Sequence, residues 1–461
     1  MDYPDNKKIV LLITTMSSFL APFMGSSVFI GLPSIGKDFG MDVVMLSWVS
    51  LSYLLAAAMF LVPMGKIADI YGRKKIFKYG IIIDIIASIL LAFSFSETEL
   101  IILRVFQGIG AAMIFGTSVA ILTSVYPPGE RGKALGITVS GVYLGLSLGP
   151  VIGGFITQYY GWRGIFLSYV PLELVIIILT FWKLEGEWAD AKGEKLDVIG
   201  SAIYGFSLVA LMYGFSVMPQ MQGTWLILVS IIGLVAFIKW EMKVKNPLLD
   251  MNLFRNNKVF TLSVIAALIN YSATFAVIFF LSFYLQDIKG LSPESAGIIL
   301  VAQPIVMTIF SPLAGRLSDR IEPRTVASIG MAFTTLGLFL FSFLDEKTSM
   351  GFIIASLIII GFGFALFSSP NTNAVMSSVE KKFYGVASAT LGTMRLTGQM
   401  LSTGIATLIL TIYVGNVQIV PENYSLFLGS EKAAFIVFAA LCFAGIFASL
   451  ARGKVRQNGG L

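Results

Sequence analysis

The chain is divided into about fourteen long apolar runs, and charge is confined almost entirely to the gaps between them. The runs cover approximately 8–31, 45–64, 76–95, 99–122, 133–156, 164–183, 197–217, 223–241, 258–284, 294–314, 324–344, 350–371, 385–412 and 431–451. A helix needs about twenty apolar residues to cross the hydrocarbon core of a bilayer, so fourteen crossings use about 280 of the 461 residues. The connections then average about a dozen residues, which leaves no room for a large soluble domain. The runs are continuous, whereas a membrane-barrel strand alternates over about ten residues, so helices are predicted throughout. Only 13% of residues are charged and mean hydropathy is +0.85, which rules out a disordered, coiled-coil or ordinary soluble chain. Lys7 and Lys8 before the first run resemble a signal peptide. However, the run is long, contains Pro22 and ends without a small-residue cleavage site, so it is expected to be retained.

The positions of the cations set the orientation. With the N-terminus inside, 25 of the 32 Lys and Arg fall in inner segments, five fall in outer segments, and Arg104 and Arg395 lie within helices. Both termini are therefore expected in the cytoplasm. The net charge of +6 is accounted for by topology, with no nucleic-acid partner. The chain has no histidine, so histidine metal sites, histidine proton relays and Ser-His-Asp catalysis are impossible. Its one cysteine, Cys442, lies in an apolar run and can form neither an intramolecular disulfide nor a metal cluster. No phosphate-binding loop with Lys-Ser/Thr is present, so ATP-driven pumping has no support. No cofactor is expected.

An inner segment repeats. Gly65-Lys-Ile-Ala-Asp69-Ile-Tyr-Gly72-Arg73-Lys74-Lys75 follows the second run, and Gly315-Arg-Leu-Ser-Asp319-Arg320 follows the tenth, with glycines and acids each 250 residues apart. A weaker echo links Glu130-Arg-Gly132 to Lys382-Phe-Tyr-Gly385. Such repeats characterise transporters built as two halves around a central cavity. The second copy begins after the eighth helix. The predicted organisation is therefore a six-helix bundle over 1–195, two inserted helices over 196–245 and a second six-helix bundle over 246–461. The loops have a physical logic: glycines permit tight turns, and a charge cluster at the membrane edge can latch and release one conformation. In the fifth run Gly141, Gly145, Gly149 and Gly153 recur every four residues, forming a stripe that allows close helix approach, and Pro150 bends the helix.

The Gly65–Lys75 segment resembles the signature of the major facilitator superfamily. Leu103-Arg104-Val-Phe-Gln107-Gly108-Ile-Gly110 is similar to its fourth-helix motif, and Gly141 through Gly154 to the fifth-helix motif that marks antiporters. Gly161-Trp162-Arg163-Gly-Ile-Phe166 with Val170-Pro171, and Asn246-Pro-Leu-Leu-Asp-Met-Asn-Leu-Phe254, resemble the 14-helix drug:proton antiporter branch. The resemblance spans the chain. It implies an all-α integral membrane protein of two six-helix bundles related by a pseudo-two-fold axis plus two inserted helices. The implied function is multidrug-type efflux. It also implies gating roles for Gly65, Asp69, Gly72, Arg73, Gly145, Gly149, Pro150, Gly153, Gly315, Asp319 and Arg320.

Ionisable groups inside a membrane are costly and usually functional. Four are expected: Asp84, Arg104, Glu173 and Arg395. The resemblance ties Arg104 to proton transfer and matches Arg395 to an arginine of the thirteenth helix. Glu173 lies near mid-depth, where a carboxyl can carry a proton; Asp84 and a gate acid such as Asp69 are the other candidates. The branch usually carries an Asp in its first helix, before Thr-Ile-Val-Asn-Val-Ala-Leu-Pro. Here Met24 stands at that position and Phe29 replaces the Asn. Proton coupling through that residue is ruled out, and a preference for cationic drugs loses its natural carboxylate partner. On the cavity helices that the resemblance implies, Gln107, Asn270, Tyr271 and Gln303 are candidate polar contacts. Met24 and Met113 are candidates for a soft apolar lining.

These features point to a secondary active exporter of hydrophobic or amphipathic compounds, driven by proton entry, working as a monomer in the plasma membrane. An uncoupled or differently coupled facilitator, or a lipid or metabolite exporter, is the alternative that Met24 favours. A membrane enzyme would need a convergent catalytic group, and a non-transporting sensor would need a soluble signalling segment. The sequence offers neither.

Overall fold

Each boundary between apolar runs is marked by a local stop signal. Asp42, Ser96 and Ser349 cap the helices that follow them, each accepting a hydrogen bond from the main-chain N–H three residues on. Gly40, Gly72 and Gly161 turn the chain with positive φ. The computed structural model describes residues 4–127, 130–249, 251–380 and 384–453. Among the cations used above for orientation, Lys381, Lys382, Lys454 and Arg456 lie outside the described residues, as does the side chain of Asp319.

The first eight helices are α1 (Pro4–Phe39), α2 (Val43–Tyr71), α3 (Arg73–Ala92), α4 (Glu97–Val125), α5 (Arg131–Tyr160), α6 (Arg163–Trp182), α7 (Val198–Ser216) and α8 (Met221–Glu241). After a short helix, Met251–Asn256, α9 runs over Lys258–Thr274 and continues as Val277–Phe283 and a wide turn at Tyr284–Ile288. α10 runs over Pro293–Leu300 and continues as Ala302–Arg320. The last four are α11 (Pro323–Phe341), α12 (Met350–Ser377), α13 (Tyr384–Tyr413) and α14 (Tyr424–Ala451). Thirteen of these are long and apolar enough to span a membrane. The fourteenth, α3, is as long as α6 but carries Arg73, Lys74, Lys75, Lys78 and Asp84.

The fold repeats. α1 packs on α5 as α9 packs on α13, and α2 on α4 as α10 on α12. The pairs α3–α4 and α3–α6 recur as α11–α12 and α11–α14. The two sets meet through α5 with α10, α2 with α13, and α1 with α9. α7 and α8 pair with each other, and α7 packs against α2 and α13. The break in α9 at Phe275 and Ala276 is satisfied from outside: the Ala276 N–H donates to Ser402 Oγ of α13 (3.0 Å). A non-helical backbone at membrane depth is tolerated only where protein supplies such partners.

The helices overrun the apolar runs. α1 continues past 31 to Phe39, and the Gly65–Lys75 segment expected as a loop is mostly helix. Gly65 to Tyr71 form the last turns of α2, α3 starts at Arg73, and only Gly72 (φ +118°) turns the chain. Gly315 to Arg320 are helical as well. Hydropathy marks where the bilayer ends, whereas main-chain hydrogen bonding carries a helix on into the interface.

Candidate functional site: a cavity between the two halves

A cavity of about 830 Å³ lies between the halves. Its deep wall includes Phe29 of α1, Tyr53 of α2, Arg104 of α4, Ile278 of α9 and Arg395 of α13. From there it reaches the Lys/Arg-rich face of the bundle, where Lys66, Asp69, Arg73 and Arg131 line it. The opposite end is sealed. Ser282 Oγ donates to the Phe29 carbonyl (2.7 Å) and Gln286 Nε2 to the Ile30 carbonyl (3.0 Å). Lys37 pairs with Asp287 (3.1 Å), Thr407 Oγ1 donates to Ser47 Oγ (2.8 Å), and the Val43 N–H donates to the Val417 carbonyl (3.1 Å). The cavity is thus open to one face of the membrane and closed to the other.

The cavity face of α9 takes Tyr271, Thr274, Phe275 and Ile278, the spacing of a single helical stripe. Asn270 is one position away, which rotates it by about 100°. It is fully buried, facing Cys442 of α14. The same geometry removes Met24, Gln107 and Met113 from the wall. Met24 sits in the hydrophobic core, Gln107 donates to Ser88 Oγ of α3 (2.9 Å), and Met113 packs with Ala68 and Ile76. Tyr271 and Gln303 do line the cavity, as expected.

Arg104 is almost wholly buried, at 1% exposure. Its Nε donates to the Val49 carbonyl (2.8 Å), its Nη1 to Gln107 Oε1, and its guanidinium lies 4.4 Å from the Tyr53 ring centre. Behind it, on the side away from the cavity, Asp84 of α3 and Glu173 of α6 face each other, with Tyr169 beside them. Asp84 Oδ1 and both Glu173 oxygens lack any donor in hydrogen-bonding geometry. They border a chamber of about 10 Å³, the size of about one water. Ala21 and Phe115 line both this chamber and the large cavity, so these two side chains form the partition between them.

Arg395 differs from Arg104. Its Nη2 donates to Thr372 Oγ1 (2.6 Å) and its guanidinium lies 5.7 Å from the Tyr271 ring centre, but its Nε has no partner. Tyr271 meets Phe364 edge-on (5.2 Å), and Tyr143 OH donates to Ser368 Oγ (3.1 Å) nearby.

At the open mouth, Arg73 Nε donates to Asp69 Oδ1 (2.7 Å), and Nη1 to Ser124 Oγ (2.6 Å). Arg73 also pairs with Asp190 (2.8 Å), and Lys66 pairs with Glu194 (2.6 Å). Asp190 and Glu194 belong to the α6–α7 connection, which lies along the mouth and is tied to it by main-chain bonds from Arg73 to Trp188 and from Ala191 to Asp69. Sequence reasoning passed over this connection, because its partners are more than a hundred residues away. Gly315 sits where a side chain would meet Ser369 Oγ at 2.8 Å, and Arg320 ends α10.

The α5 glycine stripe packs within the first half. Gly141, Gly145, Gly149 and Gly153 face α1 of the same half. A Cβ on Gly145 would stand 2.3 Å from the Phe19 carbonyl oxygen, and on Gly153 2.7 Å from Ser27. The contact with the other half falls to Gly154 and Pro150, which meet Pro293 and Gly297 of α10. The buried charge is also richer than the four groups read from sequence. Glu431 of α14 is buried with both oxygens unpartnered, and Arg452 is buried with Nη1 donating to Asn371 Oδ1 (2.6 Å). They lie at the two ends of the last apolar run, where cation counting assigns charges to the interfaces.

A sequence profile described as Major Facilitator Superfamily matches residues 14–403 and 263–459. The riboflavin transporter RibZ of Clostridioides difficile is 28% identical over 443 residues, covering 95% of this chain and 96% of RibZ. The multidrug transporter protein MdtP of Bacillus subtilis is 30% identical over 392 residues, covering 83% of this chain and 72% of MdtP. A peptide transporter POT solved in complex with alafosfalin shares the fold with a TM-score of 0.68 at 15% identity, covering 94% of this chain and 93% of its own. The protein is a multi-pass membrane transporter, and its chain belongs to the Major Facilitator Superfamily.

Proposed function

We propose that the protein is a secondary active exporter of hydrophobic or amphipathic compounds, driven by proton antiport. The observation that carries this reading is the pairing of a central cavity, open to one face only, with a buried carboxyl pair one side chain away from it. The two halves rock about the cavity and open it alternately to each side. Asp84 and Glu173 take up a proton from outside and release it inside, and Arg104 couples their charge state to the cavity wall. The gating residues are Gly65, Asp69, Gly72 and Arg73 in the first half and Gly315, Asp319 and Arg320 in the second. The tight α1–α5 contact at Gly145, Gly149 and Gly153 keeps the first half rigid, and Pro150 meets α10 where the two halves touch. No catalytic step is assigned to any residue.

The halves are taken as 1–195 and 246–461, with 196–245 an inserted pair. The excess of cations at the open mouth supports a cytoplasmic location for that face and for both termini, in a plasma membrane. The chain is taken to act as a monomer. Multidrug and export proteins among the relatives support export. Dye efflux from proteoliposomes with an imposed pH gradient tests the coupling, and export that persists unchanged after the gradient is collapsed overturns it.

A second reading, a differently coupled exporter of a metabolite, is favoured by Met24 in place of the expected carboxylate and by the riboflavin-transporting relative. Its mark is export that persists without a pH gradient, following the substrate gradient alone if uncoupled or another ion's gradient if differently coupled.

A further inference from the structure

The charge balance of the cavity wall is one-sided. Its only carboxylates among the described lining residues are Asp69 and Asp190, both at the mouth and both paired with Arg73. Lys66 is paired with Glu194, and Arg104 is held against main chain, Gln107 and Tyr53, with the Asp84–Glu173 pair behind it. Arg395 is left. It lies eleven residues into α13, roughly 16 Å along the helix from its start. No acid among the described residues forms an ion pair with it, and its Nε–H is unpartnered. An arginine at that depth is costly unless something anionic meets it. Its fixed fork of donors suits a carboxylate or a similar acidic group. The surroundings specify the rest of the ligand. Tyr271, Phe364 and Tyr143 form an aromatic socket beside Arg395, with Phe275 one turn further along α9 and Phe29 of α1 packed edge-on against it (5.3 Å).

Resting on the exporter reading for its transport role, we propose that Arg395 anchors the negatively charged group of the substrate, and that the transported compounds are planar aromatic anions. The acid of the ligand meets the free edge of the Arg395 guanidinium, and its ring system stacks in the Tyr271 socket. Cationic compounds are disfavoured, since the deep wall presents them with two arginines, Arg104 and Arg395, and no carboxylate.

The test uses two dyes on one xanthene frame. Fluorescein is anionic, and tetramethylrhodamine methyl ester is cationic. Fluorescence anisotropy measures their binding to the purified full-length chain in nanodiscs at neutral pH. The expected result is fluorescein binding at least tenfold tighter than the rhodamine ester. Arg395→Gln is expected to weaken fluorescein at least tenfold while leaving the rhodamine ester unchanged or tighter, an inversion that misfolding does not produce. Arg395→Lys, which keeps the charge but loses the fork, is expected to fall between. The proposal is overturned if the wild-type protein binds the cation as tightly as the anion or binds neither. It is equally overturned if the wild-type preference survives in Arg395→Gln. Should Arg395→Gln fail to fold, Arg395→Lys decides, and an unchanged fluorescein Kd in it overturns the guanidinium anchor. Binding with the expected preference but no gradient-driven flux refutes the exporter reading and leaves this site standing. Flux without charge preference does the reverse.

Discussion

Asp84 of α3 and Glu173 of α6 face each other beside a chamber with room for about one water, both at 2% exposure or less. No other residue of the described structure places a donor in hydrogen-bonding geometry on either Glu173 oxygen. Two ionised carboxylates in such a place repel each other, so the arrangement is stable when a proton is shared between them. Glu173→Gln puts a permanent N–H donor where that proton would sit. The variant is expected to keep its fold, with a melting temperature equal to or above wild type, because the amide N–H meets Asp84 without a proton having to be bound. Its pH-driven efflux is expected to fall at least tenfold while substrate binding is retained. Asp84→Asn is expected to behave the same way. Normal gradient-driven efflux by both variants would remove the pair from the coupling mechanism.

Phe115 is the larger of the two side chains that separate this chamber from the substrate cavity. Shortening it joins the two spaces and gives water a path to the carboxyls. Proteoliposomes carrying Phe115→Ala are therefore expected to lose an imposed pH gradient faster than wild type in the absence of substrate. A pH-sensitive dye trapped inside reads the leak. Vesicles as tight as wild type would mean that Phe115 is not the partition.

The fold was legible because the bilayer imposes two strong rules: long apolar runs must be helices, and their flanking cations report orientation. Lateral contacts follow neither rule. Asn270 and Tyr271 are adjacent in sequence and equally plausible as cavity groups, but one helical step sends Asn270 toward Cys442 and leaves Tyr271 beside Arg395. The α5 glycine stripe was visible, but only packing reveals that it serves α1 within one half while Gly154 meets the other half. Asp84 and Glu173 were each visible as buried acids. Their meeting depends on α3 packing against α6, which no local pattern encodes.

That packing argument yields a contrast within α5. A methyl at Gly145 would lie 2.3 Å from the Phe19 carbonyl oxygen, a rigid main-chain atom, whereas at Gly136 it would meet nothing within 4 Å. Gly145→Ala forces α1 and α5 apart and is expected to destabilise the protein by about 1–3 kcal/mol, the usual cost of overpacking. Gly136→Ala restricts the unfolded chain without any clash and is expected to stabilise by about 0.5–1 kcal/mol. Thermal unfolding in one detergent should separate the pair in opposite directions. Equal shifts would contradict the α1–α5 contact.

The two acids on Arg73 are expected to differ in weight. Asp69 is held one helical turn away by the Gly72 turn, at 2.7 Å, and both side chains are partly shielded. Asp190 is 72% exposed and sits on the α6–α7 connection. An exposed ion pair contributes about 0–1 kcal/mol, and screening by salt reduces it further. Asp190→Asn is therefore expected to alter efflux less than threefold. Asp69→Asn leaves Arg73 with the exposed Asp190 and with Ser124 at the start of α3, where a cation next to unsatisfied main-chain N–H groups is unfavourable, and is expected to lower efflux at least tenfold. Measuring both variants at low and high salt separates the contributions. If Asp190→Asn proves as damaging as Asp69→Asn, the α6–α7 connection rather than the Gly72 turn holds the mouth.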